Sequence, residues 1–396
     1  MPDEPIVIVG GGIGGLATAL AVAGTGRRVT VLERAAQLRE IGAGIQLAPN
    51  AFHALDRLGV GEEARAISVF VDHLRLMDAL TGEEITLVDL MEPFRRRFGN
   101  PYAVVHRGDL HGVLLRACEA DPAIELRTGC DVVGYDQDGT GSVALLRSGE
   151  RIRGRLVIGA DGLKSAIRQQ MIGDGVPRIA GHTTYRSVIP TELMPEDLRW
   201  NAATLWAGPK CHLVHYPLSD WKSFNLAITC HNDPAEAFAG RPIDHDDVMA
   251  GFASVHPRAQ AIIHHGRNWR AWVICDRDPV ENWIDGRVVL LGDAAHPMLQ
   301  YFAQGACMAL EDAVSLAQNL ADHPDRIEAG LESYRADRLL RTARVQLQAR
   351  ELGTHVYHPA GAHALLRNQM MRGMTQDKFC DTLAWLYDTQ AQPSRP

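Results

Sequence analysis

Gly10-Gly11-Gly12-Ile13-Gly14-Gly15 follows a short apolar run, Ile6-Val7-Ile8-Val9, and leads into a small-residue stretch of helical character. The pattern fits G-x-G-x-x-G. Glu33 stands eighteen residues beyond Gly15, at the end of a second apolar run, Val29-Thr30-Val31-Leu32. In a strand–turn–helix–strand setting each glycine has a task. Gly10 permits the tight turn, Gly12 lets the backbone approach a pyrophosphate, and Gly15 lets helix and strand pack closely. The helix start offers free N–H groups to the phosphates, and Glu33 can accept hydrogen bonds from ribose hydroxyls. This is the chemistry of dinucleotide binding. The motif alone does not choose between FAD and NAD.

Two more strand-to-turn junctions carry an acid. Arg155-Leu156-Val157-Ile158-Gly159-Ala160-Asp161-Gly162 and Arg287-Val288-Val289-Leu290-Leu291-Gly292-Asp293 both run from apolar residues into glycine and aspartate. The bland readings are a turn aspartate for Asp161 and a helix cap for Asp293. A third kind of signal lies in Cys211-His212-Leu213-Val214-His215-Tyr216. Read as a strand, it puts His212, Val214 and Tyr216 on one face and Cys211, Leu213 and His215 on the other. A metal site built from Cys211, His212 and His215 is therefore not expected, since its two histidines diverge. The pairs His355/His358 and His264/His265 have no carboxylate or cysteine at ligand spacing and read as surface or helix histidines. No G-x-S-x-G supports serine hydrolysis.

Taken together, Gly159-Ala160-Asp161-Gly162 and Leu291-Gly292-Asp293-Ala294-Ala295-His296-Pro297 resemble the second and third signatures of the flavoprotein aromatic hydroxylases. They follow the glycine motif in that family's order and rough spacing, over almost the whole chain. Gly42-Ala43-Gly44-Ile45-Gln46 and His106-Arg107-Gly108-Asp109-Leu110 are further matches. The resemblance implies FAD as cofactor, NADH (or NADPH) as co-substrate, and O2 activated as a flavin C4a-hydroperoxide. It implies a cofactor site of Gly10, Gly12, Ile13, Gly14, Gly15, Glu33, Arg34, Gln46, Arg107, Val132, Asp161, Asp293, Pro297, Gly305 and Ala306. Physically, Arg107 would neutralise the pyrophosphate and Asp293 would take a ribityl hydroxyl. Pro297 would stiffen the backbone beside the flavin. Gly305-Ala306 would open a helix whose dipole favours negative charge on the reduced ring.

Residues 208–217, 275–283 and 299–306 are similar to the hydroxybenzoate hydroxylases of this family. They imply a small aromatic acid as substrate. The first expectation is conversion of 3-hydroxybenzoate to gentisate (2,5-dihydroxybenzoate), and the second is decarboxylating hydroxylation of salicylate to catechol. His212 is then the expected base and Gln300 its partner near the phenol. Tyr216 is expected at the carboxylate and Tyr102 as a further pocket residue. With an ordinary imidazole pKa of about 6.5, His212 would share the phenolic proton near neutral pH. A homodimer fits the family. The alternative of another class is a non-catalytic flavin-binding redox sensor.

These residues need a particular scaffold. The expected fold is α/β. A Rossmann-like, three-layer FAD-binding domain, of the para-hydroxybenzoate hydroxylase type, comes first. A mostly antiparallel substrate-side sheet and C-terminal helices complete it. Strand-like pieces at Ala203–Ala207, His212–Tyr216, Phe224–Thr229 and Ala271–Cys275 belong to the second sheet. Helices are expected over Leu16–Gly24, from Gly305 to about Leu320, and from Ile327 onward with a break at Pro359-Ala360-Gly361. The expected division is 1–72, 100–178 and 276–345 for FAD, 73–99 and 179–275 for substrate, and 346–396 as a helical end.

Composition sets the outer bounds. The 396 residues carry a formal charge of −8, which argues against a nucleic-acid partner, whose phosphates call for a basic face. Seven scattered cysteines without a C-x-x-C read as free thiols of a cytoplasmic protein. The apolar stretch Ile6–Gly26 follows Asp3 and Glu4, whereas a signal peptide has a basic start. No run reaches the ~20 apolar residues of a membrane span.

Overall fold

The computed structural model describes residues 4–39 and 43–388; Asp3 and Gly42 of the stretches above lie outside them. Its first sheet has six strands. In spatial order they are Ile284–Asp285, Val288–Leu290, Leu156–Gly159, Ile6–Val9, Val29–Leu32 and Ile124–Arg127. All neighbours run parallel except the antiparallel edge strand Ile284–Asp285. The central strands are apolar and buried end to end, as a sheet covered on both faces requires. One cover is helical: Ile13–Ala23 packs with Arg107–Ala120 and Gly305–Asp322. The other is a three-stranded antiparallel sheet, Val132–Gln137, Ser142–Leu146 and Arg151–Gly154, which meets Ile6–Val9 and Leu156–Gly159. Together they make the three layers.

Parallel direction has a direct consequence for the site. The carboxyl ends of Val288–Leu290, Leu156–Gly159, Ile6–Val9 and Val29–Leu32 all lie at one edge of the sheet, side by side. Four strands at about 4.8 Å spacing span roughly 15 Å. The glycine turn, Glu33, Asp161 and Asp293 each follow one of these ends. Residues scattered over more than 250 positions are thereby gathered in one crevice.

The second sheet has eight strands: Arg241–Pro242, Arg270–Asp276, Arg178–Pro190, Ser223–His231, Cys211–Leu218, Ala202–Gly208, His73–Asp78 and Glu84–Asp89. It is antiparallel except where Ala202–Gly208 runs parallel to His73–Asp78. The expected strand-like pieces are in it; of residues 73–99, His73–Asp78 and Glu84–Asp89 join the sheet, while Glu92–Phe98 is a helix. Ile189, Trp206, Leu213, Phe224 and Ile228 build a separate core on its outer face, against the short helices of residues 245–264. A small sheet of Gly44–Leu47, Ala103–His106 and Val69–Phe70 bridges the two halves.

Three boundaries differ from expectation. The first helix begins at Ile13 rather than Leu16, because the glycine motif itself supplies its first turn. The strand before Asp293 ends at Leu290, and Gly292–Ala294 forms a tight 3-10 turn. Helix Ile327–Leu352 is continuous through residue 345, where a division had been expected. It ends in a wide turn, Gly353–Tyr357, ahead of Pro359; a side chain at Gly353 would meet the Tyr301 ring at 2.7 Å.

Candidate active site

Gly10 has φ +109°, a conformation that side chains rarely adopt, and a Cβ there would stand 2.4 Å from the Ala160 carbonyl oxygen. The missing side chain is what lets the second junction close on the first. At Gly15 a Cβ would lie 1.9 Å from the Gly10 carbonyl oxygen, so the helix could not settle on its strand. Glu33 accepts hydrogen bonds from the backbone N–H of Gly11 and of Ala35, both at 2.8 Å. His111 ties the Gly11 carbonyl at 2.8 Å from the opposite side.

A cavity of about 520 Å³ opens over this turn, walled among others by Glu33, Arg34, Arg107, Val132 and Asp161. A second, of about 470 Å³, continues from it through the shared residues Gly12, Arg107, Ala160 and Gly162. Ile13, Gly14, Gln46, Asp293, Gly305 and Ala306 line the second. Helix Gly305–Asp322 starts in its wall without a side-chain cap, so its first N–H groups face the space. Gln304, also in the wall, has a buried Nε2 with no partner among the described residues. A long, bent space with glycine backbone at one end and an open helix start at the other fits FAD. Its residues would hold pyrophosphate at the Gly10–Gly15 turn and the ring at Gly305–Ala306. Pro297 is buried but lines neither cavity; its carbonyl accepts from the Gln346 amide at 3.1 Å, so it shapes the wall from behind.

Asp161 is turned toward the helix that follows it. Its carboxylate accepts from the Ser165 hydroxyl at 2.5 Å and the Ala166 N–H at 2.8 Å, while burial raises its pKa. It is therefore more than a turn aspartate: it fixes helix Ala166–Met171. That helix sends buried Arg168 to the carbonyls of Ala294 and Ala295, at 2.9 and 2.7 Å. One arginine thus binds the second junction to the third.

The inner face of strand Cys211–Leu218 forms the far wall. His212, Val214 and Tyr216 line the second cavity, with Gln300, Arg186 and Tyr357, while Cys211 and Leu213 belong to the outer core. His215 is buried on that outer face beside Trp200 and Phe224. Gln300 is held on both sides of its amide. Its Nε2 donates to Thr184 and Thr229 at 2.8 and 3.1 Å, and its Oε1 accepts from Arg186 at 3.1 Å. Tyr216 lies against the backbone of Gly44. Tyr102 does not reach this cavity. It donates to Gln46 Oε1 at 2.6 Å and lines an adjoining apolar cavity of about 520 Å³, which shares Gln46, Val214, Ala303 and Tyr357 with the second.

Two expectations for this wall need correction. His212 is 2 % exposed, and burial, then the nearby rings of His358 and His182, push its pKa well below the ordinary value. An unshifted imidazole is not what faces the cavity. His358, expected as a surface or helix histidine, is half-buried at the end of Gly353–Tyr357, and its Nε2 is hydrogen-bonded to His212 Nδ1 at 2.7 Å. Sequence reasoning also passed over Arg186, which stands in the cavity wall with Gln300 as its hydrogen-bond partner. Burial lowers its pKa. A period-two reading of strand Arg178–Pro190 puts Arg186 on the same face as Thr184 and His182 and would have marked it as a candidate. For His358 no local signal exists, because its partner is 146 residues away.

A dinucleotide crevice that opens directly onto a buried aromatic- and histidine-walled cavity defines a flavin-dependent enzyme acting on a small organic molecule. The model of the FAD binding domain family matches residues 3–349, and the chain belongs to that family, among the FAD-dependent aromatic monooxygenases. It is 53 % identical over 382 residues to 3-hydroxybenzoate 6-hydroxylase 1 of Aquipseudomonas alcaligenes, covering 96 % of this chain and 97 % of the relative. To 3-hydroxybenzoate 6-hydroxylase of Klebsiella oxytoca it is 47 % identical, covering 96 % of each chain. Among solved structures, Klebsiella pneumoniae HpxO complexed with FAD and uric acid matches with TM-score 0.85 and 27 % identity over 99 % of both chains. A salicylate hydroxylase substrate complex, at TM-score 0.80 and 23 % identity over 100 % of both chains, shares the fold.

Proposed function

We propose that the protein hydroxylates 3-hydroxybenzoate at ring position 6, giving gentisate, with NADH as reductant and O2 as oxidant. The observation that carries this reading is the pairing, in one cavity beside the flavin crevice, of a guanidinium with a histidine. Arg186 makes no ion pair among the described residues, and His212 keeps its Nε2 without a protein partner. A substrate bearing a carboxylate and a phenol answers both. The similarity to two 3-hydroxybenzoate 6-hydroxylases at 47 and 53 % identity supports the same substrate.

FAD, when bound, takes hydride from the nicotinamide and delivers one atom of O2 as an electrophile. The chain's residues do the rest. Arg186, with Tyr216, holds the carboxylate. His212 withdraws the phenolic proton, which makes the ring carbon para to that oxygen nucleophilic. Gln300 is locked by Thr184, Thr229 and Arg186 and orients the hydroxyl. Apolar walls keep water from the oxidant. Decarboxylating attack on salicylate is not favoured, since the likeness to the salicylate enzyme is one of fold.

The same proposal includes a cytoplasmic homodimer. Exposed Leu340, Leu347, Leu365, Leu366 and Met370 on the C-terminal helices support an interface between copies. The enzymatic reading is tested by oxygen uptake with NADH and each of the three monohydroxybenzoates. The 3-hydroxy isomer is expected to stimulate uptake most. Equal stimulation by all three, or none, would contradict it.

A further inference from the structure

His212 is sealed in the protein, yet the reaction proposed above asks it to accept a proton that its burial disfavours. Its position among other rings resolves the conflict. Nδ1 of His212 meets Nε2 of His358 at 2.7 Å. Among the described residues, the outer atoms of this pair, His212 Nε2 and His358 Nδ1, have no hydrogen-bond partner. One belongs to the cavity wall, and the other to a residue that keeps part of its surface in solvent. Behind His358 the ring of His182 stacks at 4.9 Å, and His231 follows at 4.7 Å from His182. Exposed His231 is 3.0 Å from Asp233 at the surface. Tyr301 and Tyr357 flank the His212–His358 pair edge-on, and burial raises both phenols, so neither supplies a competing charge.

We infer that His358 is a positioning residue that completes a two-histidine proton exit, carrying the phenolic proton of the bound substrate from the cavity wall to solvent. The inference rests on the proposed reaction and deepens it. The proton leaves the substrate O–H for His212 Nε2. His212 gives up its Nδ1 proton to His358 Nε2, and His358 releases its Nδ1 proton to water. One proton enters and one leaves, and each ring ends neutral in its other tautomer. The reverse passage returns a proton to the product oxygen and resets both rings. Neither imidazole has to stay charged. Such a route suits a pair in which burial holds His212 well below its ordinary pKa and His358 down at about 3. Mutual repulsion with His182 and His231 acts in the same direction.

The test uses FAD-loaded enzyme and a nitro-substituted 3-hydroxybenzoate whose phenolate is coloured. Stopped-flow mixing reads the rate at which bound phenolate appears. In His358→Gln the amide can still hydrogen-bond the His212 ring but cannot pass a proton on. Phenolate formation is expected to slow at least tenfold, with probe binding within threefold of wild type. Added imidazole is expected to restore much of the rate in His358→Ala. A purely structural role predicts that His358→Gln behaves as wild type, and that result, or the absence of rescue in His358→Ala, would overturn the inference. If wild-type enzyme neither binds 3-hydroxybenzoate nor makes gentisate, the proposed function itself fails. If wild type turns over and the His358 variants match it, only the exit fails.

Discussion

A guanidinium taken out of water without an anion costs several kcal/mol. Arg186 is half-buried in the cavity wall, and the oxygen it holds among the described residues is that of an amide, Gln300 Oε1; a substrate carboxylate would supply its anion. Replacing Arg186 with glutamine should leave FAD content unchanged and raise KM for 3-hydroxybenzoate about tenfold to a hundredfold, the scale of a lost charge-assisted hydrogen bond. Steady-state kinetics checks this, and an unchanged KM would assign the carboxylate elsewhere. His212→Ala should act differently, lowering coupled hydroxylation about tenfold to ten-thousandfold while the protein stays yellow. At this scale the sequence was informative wherever a residue's neighbours along the chain decide its environment. Strand alternation alone put His212 and Tyr216 on one face and His215 on the other. It was uninformative where the environment comes from a distant segment. His358, the ring paired with His212 from 146 residues away, could not be seen from either residue's own stretch.

At the scale of elements, helix Gly305–Asp322 bears two demands at once. Its N-terminus faces the flavin space, and its body is pinned by a buried ionic network. Arg338 reaches Glu311 at 2.5 Å and Asp312 at 2.6 Å, and His296 bonds Asp312 from the third junction at 2.5 Å. Burial alone would raise the Asp312 carboxyl. His296 and Arg338 outweigh it and hold the group down at about 2. The folded pKa lies below the unfolded value of about 3.9, so the stabilisation is complete above that value. It is lost as pH falls from about 4 through about 2. Arg338→Met should cost about 3 kcal/mol at neutral pH, because it takes a shared guanidinium from two buried carboxylates and leaves Arg341 on Glu311 and His296 on Asp312. Urea unfolding measured from pH 7 to pH 3 should show that penalty shrinking as the carboxyls protonate. A penalty independent of pH would mean that the network is not charged. The parallel strands and the helix starts were legible because buried apolar runs and glycine punctuate them strongly. The three-stranded cover sheet was not: Val132–Gln137 and Arg151–Gly154 are short and carry charges on their exposed side, so they resemble loops.

At the scale of the molecule, two sheets of different character divide the labour. The parallel sheet collects three distant glycine–acid junctions at one edge and so binds FAD. The antiparallel sheet turns one face to its own core and the other to the substrate. Among the described residues no helix is long and apolar enough to cross a membrane. The account's central claim is that carboxylate and phenol are held so that oxygen is delivered para to the phenol. The most direct check is the product formed from 3-hydroxybenzoate by purified yellow enzyme with NADH and isotopically labelled O2. Gentisate carrying one labelled oxygen is the predicted product. Another dihydroxybenzoate, catechol with release of CO2, or oxygen consumed without any aromatic product would contradict it.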